Sequence, residues 1–251
     1  MVRILAVSDE ERFYDKSDID AISDGVDILV SCGDLSPRYL EYIIHKSMPY
    51  HSIMVHGNHD KDYFRFDHEH RDEGYSDIYK GMYVINQGTY TVSDRDNVTD
   101  RDNEDNSQDS SDGLVIWGFS GACAYGKRPF FFEEKDAASF VRSMKLKNLL
   151  WKSKPPVIML SHCPPAIGGL FEYISYFHRP SESLAEIYHA FSPRLWFYGH
   201  IHPRYTTQKL DFRIESDTGS MYLLNAVPYK LVDLDLSSGE IDIFPKKHKY
   251  F

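Results

Sequence analysis

Six short apolar runs, Val2–Val7, Val26–Ser31, Ile53–Val55, Leu114–Phe119, Val157–Leu160 and Leu195–Tyr198, recur along the 251 residues between stretches of mixed polarity. Each is rich in β-branched or aromatic residues and nearly continuous in its hydrophobicity, the pattern of strands covered on both faces. Between them Pro37–Lys46, Glu133–Lys152 and Ser181–Phe191 read as helices. The second is expected to turn Phe140, Met144 and Leu149 inward, and Ser181 is placed to cap the third. This alternation predicts a layered α/β protein. The C-terminal part, TTQKLDFRIES, SMYLLNA and YKLVDLDLSSGEIDIF, instead alternates in polarity and breaks at Asp217-Thr218-Gly219 and Ser238-Gly239. It predicts an antiparallel hairpin series finishing a second sheet. No repeat and no linker interrupts the pattern, so residues 1–251 are expected to form a single domain.

A composition of 42% hydrophobic and 26% charged residues excludes a wholly disordered or fibrous chain. The net charge of −10 disfavours nucleic acid as a partner. That charge is unevenly placed: Asp94–Asp112 holds eight acidic residues and two arginines, with Val98 its one aliphatic residue. The segment reads as a solvated low-complexity insertion. Without a glycine before Gly113 it does not match a calcium-binding loop. Cys32, Cys123 and Cys163, an odd number, predict neither a disulfide framework nor a zinc ribbon and suit a reducing compartment. The start MVRILAVSDEERFYD has no basic leader, and no stretch approaches the roughly 18 uninterrupted apolar residues of a membrane span. A soluble, cytoplasmic protein with no membrane partner is expected.

The candidate chemistry lies at the ends of the strands. Five of the apolar runs lead directly into a residue able to hold a metal: Asp9, Asp34, Asn58 (in Asn58-His59-Asp60), His162, and His200 with His202. In α/β folds ligands gather at the carboxyl ends of strands, so these five loops are expected to converge. Carboxylate, amide and imidazole donors suit manganese, iron or zinc and do not indicate a thiolate site. Gly33, Gly57 and Gly199 each precede a donor and read as supplying backbone angles closed to other residues.

In order and spacing these residues resemble the calcineurin-like metallophosphoesterases, whose motifs run Asp-x-His, Gly-Asp, Gly-Asn-His-Asp/Glu, His and Gly-His-x-His. The resemblance spans Val2 to about Asn225, and Gly57-Asn58-His59-Asp60 and Gly199-His200-Ile201-His202 match in full. It implies a four-layer α/β/β/α sandwich that hydrolyses a small phosphate ester with two divalent ions, manganese first, with iron, zinc or magnesium as alternatives. Asp34 would bridge the ions, Asp9 and His202 would complete one site, and Asn58, His162 and His200 the other. His59 would be the general acid, with Asp60 orienting its imidazole. The first motif departs from the pattern, because Asp9-Glu10-Glu11 sets Glu11 where the family has histidine. A bacterial subgroup is similar to this chain in Ser-Asp-Glu-Glu, Gly-Asp-Leu and a later His-Arg, here His178-Arg179. In it Glu11 would be a ligand. His178 and Arg179 are expected to bind substrate, Arg179 by clamping a phosphate. A third anionic ligand leaves the centre one charge poorer, which would favour phosphodiesters over dianionic monoesters and harder ions over zinc.

Cys163 reads as packing filler, and Tyr173, Tyr176 and Phe177 as core residues, with a lid or a stacking platform as their alternative. The terminal KKHKYF has no assignable role. A second reading is a metal-binding scaffold that keeps the fold and lacks the chemistry, suggested by the altered first motif and opposed by the presence of Asn58, His59, His200 and His202. The oligomeric state is not written in the sequence.

Overall fold

The computed structural model describes residues 1–12, 16–60, 78–79, 81–92, 114–126, 130–151, 157–171, 175–216 and 219–244. The expected insertion at 94–112, Tyr173 and the terminal 246–251 lie outside them. The apolar runs form the inner strands of two sheets. In the first, β1 (Val2–Val7), β2 (Ile28–Ser31), β3 (His51–Met54) and β5 (Met82–Val84) run parallel. Strands β4 (Ile78–Tyr79), β14 (Tyr229–Leu234) and β15 (Ile241–Phe244) complete the order β15-β14-β1-β2-β3-β5-β4. In the second, β7 (Leu114–Phe119), β10 (Ile158–Ser161), β11 (Leu195–Tyr198) and β13 (Gly219–Asn225) are parallel, with antiparallel β6 (Gln87–Val92) and β12 (Phe212–Ser216) at the edges. A parallel pair, β8 (Ala122–Cys123) and β9 (Phe131–Phe132), stands apart from both.

Side chains alternate along a strand, and here both faces are covered. On β1, Ile4 and Ala6 enter the core between the sheets, while Leu5 and Val7 enter a second core with Ile19 and Ile22 of α1 (Lys16–Ser23) and Tyr39, Leu40 and Ile43 of α2 (Pro37–Ser47). On β7, Leu114 and Ile116 enter the inter-sheet core. Val115, Trp117 and Phe119 enter a third core with residues of α3 (Glu134–Trp151) and α4 (Glu182–Phe191). Three cores thus separate four layers, α/β/β/α, and each inner strand reads as one apolar run because neither face meets water.

Two expectations need correction. The inward stripe of α3 is Ala137, Phe140, Val141 and Met144, whereas Leu149 is 76% exposed. Leu149 follows Met144 by five residues, about 140° around the helix. The C-terminal hairpins also do not share one sheet: β12 and β13 belong to the second, β14 and β15 to the first. Leu224, Ala226, Val232 and Leu234 are all buried in the inter-sheet core, which the chain closes as it crosses from β13 to β14. Ser181 caps α4 as expected, its Oγ accepting the Leu184 N–H at 3.1 Å. Among the described residues no helix is long and apolar enough to cross a membrane.

Candidate metal centre

Because β1, β2 and β3 are parallel neighbours in one sheet and β10 and β11 in the other, their carboxyl ends open on the same edge of the sandwich. Hydrogen bonds tie the sheets together there. The His200 N–H donates to Asp9 Oδ2 at 3.0 Å, and His162 Nδ1 lies 2.7 Å from the Cys32 carbonyl. Asp9, Asp34 and His200 have φ of 61°, 58° and 67°, a left-handed conformation that costs a non-glycine residue energy. Three of the six non-glycine residues with positive φ among the described residues are thus candidate donors. Of the three glycines only Gly33 acts as expected. Gly33 has a positive φ of 94°, whereas Gly57 and Gly199 are not left-handed. They are needed for space: a Cβ on Gly57 would overlap the Asp34 carboxylate, and one on Gly199 would overlap the Ser8 hydroxyl.

Asp9, Asp34 and His162 bring one ligand atom each to within 4.8 Å of one another. The Cys32 carbonyl can only accept, so the proton of His162 sits on Nδ1. Nε2 then faces Asn58 Oδ1 at 3.0 Å and Asp34 Oδ2 at 3.3 Å, three lone pairs turned toward one another. A positive charge must stand among them. Burial opposes charging His162, yet Asp34 and Asp9 outweigh it and raise its pKa to about 10. Burial likewise raises Asp34, but His162 and the His59 N–H outweigh it and hold the carboxyl at about 2. Asp9 is raised, by burial first and then by Asp34, against the pull of His162 and His202. A divalent ion can take the place of the His162 proton, so this donor set fits a hard or borderline metal. His200 Nε2 lies 3.0 Å from the Phe177 carbonyl, which places its proton there and leaves Nδ1 as a donor of electrons. Burial, then His162 and His178, push its pKa well below 6.5, so His200 is neutral as a ligand must be.

His202 stands at the edge of the cluster, Nε2 3.4 Å from Asp9 Oδ1 and Nδ1 3.3 Å from Glu10 Oε1. Glu10 is buried and also meets Arg12 at 3.0 Å and Arg204 at 3.5 Å. Glu11, the expected ligand, is set elsewhere: it is exposed and its Oε1 accepts the N–H of Ser36, the N-cap of α2, at 2.7 Å. His59 is exposed, with its backbone N–H on Asp34 Oδ1 at 2.6 Å. Asp60 accepts the Gly57 N–H at 2.8 Å and lies 3.7 Å from His56 Nδ1, so its partners are Gly57 and His56, not the imidazole of His59. His178 adjoins the cluster, its ring centroid 4.8 Å from that of His200. Its pKa is lowered by burial and by His202, His162 and His59. Arg179 is exposed, and its carbonyl lies 3.4 Å from the Cys163 thiol, a buried group whose pKa burial raises well above 9.0.

Three residues here were not singled out by sequence: Ser8, Glu10 and Tyr125. Tyr125 follows β7, another strand parallel to β10, and its hydroxyl accepts from Asn58 Nδ2 at 3.2 Å. The continuous run LVIWGF preceding it carried the same signal as the other five.

The profile of the family described as calcineurin-like phosphoesterase matches residues 3–204. Among solved structures the chain is similar to TT1561 of Thermus thermophilus, at 15% identity over 96% of this chain and 97% of that one, with a TM-score of 0.57. It is also similar to the NAD nucleotidase of Haemophilus influenzae, at 12% identity and a TM-score of 0.50, over 96% of this chain and 54% of that one. At such identities the likeness is one of fold. No curated protein matches the chain by sequence.

Proposed function

The chain belongs to the calcineurin-like phosphoesterase family, and on that premise we propose that it hydrolyses small phosphate esters at a pair of divalent ions held by Asp9, Asp34, Asn58, His162, His200 and His202. The observation that carries this reading is the convergence of Asn58 Oδ1, Asp34 Oδ2 and His162 Nε2 on one another beside Asp9. Bound there, divalent ions supply Lewis acidity toward phosphoryl oxygens. The residues do the rest. Asp34 Oδ1, by accepting the His59 N–H, fixes the loop from which the exposed His59 imidazole delivers a proton to the departing alkoxide. Asp60 braces that loop through Gly57. His178, kept neutral by its surroundings, offers a hydrogen bond to an ester oxygen, and Arg179 reaches the phosphate from the rim. Glu10 orients His202 through Nδ1.

Glu11 is left out of this set because of its bond to Ser36. The preference for diesters rests on Glu11 as a ligand and is tested with it below. Manganese as the preferred ion, a single domain over 1–251 with a dispensable insertion at 94–112, and a cytoplasmic location belong to the same proposal. The decisive assay loads the metal-free protein with manganese, iron, zinc or magnesium and measures ion content and hydrolysis of paired aryl mono- and diesters. Two ions per chain and strictly metal-dependent turnover are expected. His59→Ala should retain both ions and lose roughly 10²-fold or more in rate toward a poor leaving group. Ion content that falls with the rate would overturn the role of His59, and two ions without turnover of any ester would favour the scaffold.

A further inference from the structure

We infer that one rim of the donor cluster is a subsite for a planar aromatic ring, so that the preferred esters are those whose organic group carries one; the inference rests on the hydrolase reading above. Tyr176 and Phe177, expected in the core, are 73% and 56% exposed. Single exposed aromatics are ordinary on a protein surface. These two are fastened to the cluster. The backbone carbonyl of Phe177 accepts from His200 Nε2 at 3.0 Å. Tyr125, whose hydroxyl holds Asn58 Nδ2, meets the Phe177 ring edge-to-face, with centroids 5.1 Å apart and planes at 84°. Phe131 backs Tyr125 at 4.5 Å, and Tyr176 meets Phe177 at 5.7 Å, again nearly perpendicular.

The two ends of the cluster differ in what covers their rings. Beyond His202 the rim is charged: Glu10 is engaged by Arg12 and Arg204, and the exposed Tyr205, its ring 5.5 Å from that of His202, carries the Arg204 guanidinium over its face at 4.7 Å. Beyond His200 it is aromatic, and His178 joins the two parts, its ring 4.8 Å from that of His200. An ester whose phosphate lies on the donor atoms can extend its organic group over Phe177 within a few bonds. A flat ring stacked there removes apolar surface from water on both partners and adds ring–ring attraction, which a saturated group of equal size lacks. A nucleobase and a simple aryl group share this chemistry.

The experiment compares phosphate esters of primary alcohols matched in charge that differ in the ring they carry: adenosine 5′-phosphate against ribose 5-phosphate, and 2-phenylethyl phosphate against 2-cyclohexylethyl phosphate. For the metal-loaded protein kcat/KM should favour the ring-bearing member of each pair about tenfold, mainly through KM. Phe177→Ala should reduce that ratio to near one, Phe177→Leu should not restore it and Phe177→Trp should. A preference confined to the adenosine pair that persists in Phe177→Ala would mean base recognition by polar groups and would overturn the shelf, as would ratios near one in the wild type. If no ester is turned over, the hydrolase reading falls. The shelf is then judged by equilibrium binding of the same pairs, where equal Kd values overturn it and a Kd difference lost in Phe177→Ala sustains it.

Discussion

Glu10→Ala should weaken metal binding while Glu11→Ala should not, although spacing from Asp9 favours Glu11. Glu10 Oε1 lies 3.3 Å from His202 Nδ1, and His202 Nε2 lies 3.4 Å from Asp9 Oδ1. The carboxylate thus keeps the proton on Nδ1 and directs the Nε2 lone pair inward. Partners of this kind are worth about 10- to 100-fold in metal affinity. Glu10→Ala also leaves Arg12 and Arg204 without their shared anion, at 3.0 and 3.5 Å in the wild type. Glu10→Gln keeps an acceptor for Nδ1 but not the charge, and since a charge-assisted bond is roughly twice as strong as a neutral one, a loss nearer fivefold is expected. Glu11→Ala removes one exposed acceptor from the N-cap residue of α2. That should cost about 1 kcal/mol of stability or less and leave affinity within about twofold. Isothermal titration of metal-free protein with manganese, alongside thermal melts, measures both. A tenfold loss of affinity in Glu11→Ala with none in Glu10→Ala would refute the reasoning. It would establish Glu11 as the ligand and carry with it the expected preference for diesters.

Metal loading should release about one proton per chain at pH 8, because His162, held at about 10, is still protonated there when no ion is bound. An ordinary histidine would release almost none, and titrations in buffers of different ionisation enthalpy separate the cases. Gly57→Ala should lower metal affinity at least about tenfold with little change in secondary structure by circular dichroism, since its Cβ would displace the Asp34 carboxylate; unchanged affinity would show that the loop can yield. Glu134 accepts from Ser181 Oγ and from the N–H groups of Glu182 and Ser183 at 2.9 to 3.1 Å. Burial works to raise its carboxyl, but those bonds outweigh it and hold the pKa below 4.5. Its stabilising contribution is therefore complete above about pH 4.5 and lost as pH falls through the folded value. The Tm gap between wild type and Glu134→Gln should narrow between pH 6 and 3, and a gap independent of pH would refute this.

The layered fold and the five donor loops were legible because both follow from the same signal. A strand buried on both faces is apolar nearly throughout, and the polar residues that follow it mark the carboxyl end where such folds bind ligands. Ile4 to Val7 and Asp9 show this, as do Ile158 to Leu160 and His162. Contacts made across the edge were not legible. Tyr125 reaches Asn58 from a sequence separation of 67, and Glu134 reaches Ser183 from one of 49. No local periodicity records such pairs. Nor does composition say that Phe177 will be left at the surface, since an aromatic residue reads as core until its neighbours are placed.

Glu10 and Glu11 show where counting along a motif fails. A spacing of two from Asp9 names Glu11, and it presumes that the chain continues extended, with alternate residues on one side. Asp9 instead has φ of 61°, and the Glu10 N–H turns back onto the Ser8 carbonyl at 2.6 Å. After that turn Glu10 is the buried residue and Glu11 the exposed one, so the carboxylate that follows Asp9 inward is its immediate neighbour. The same left-handed residue that brings Asp9 to His162 thereby selects which glutamate meets His202. Asp9→Gly, which allows the same left-handed φ but deletes the carboxylate, separates the two effects. If metal affinity falls while the Nδ1–H signal of His202 in NMR spectra of the metal-free protein remains as in the wild type, Glu10 is positioned by the turn itself; if that signal is lost as well, the Asp9 carboxylate, not the turn, is what holds the Glu10–His202 pair in place.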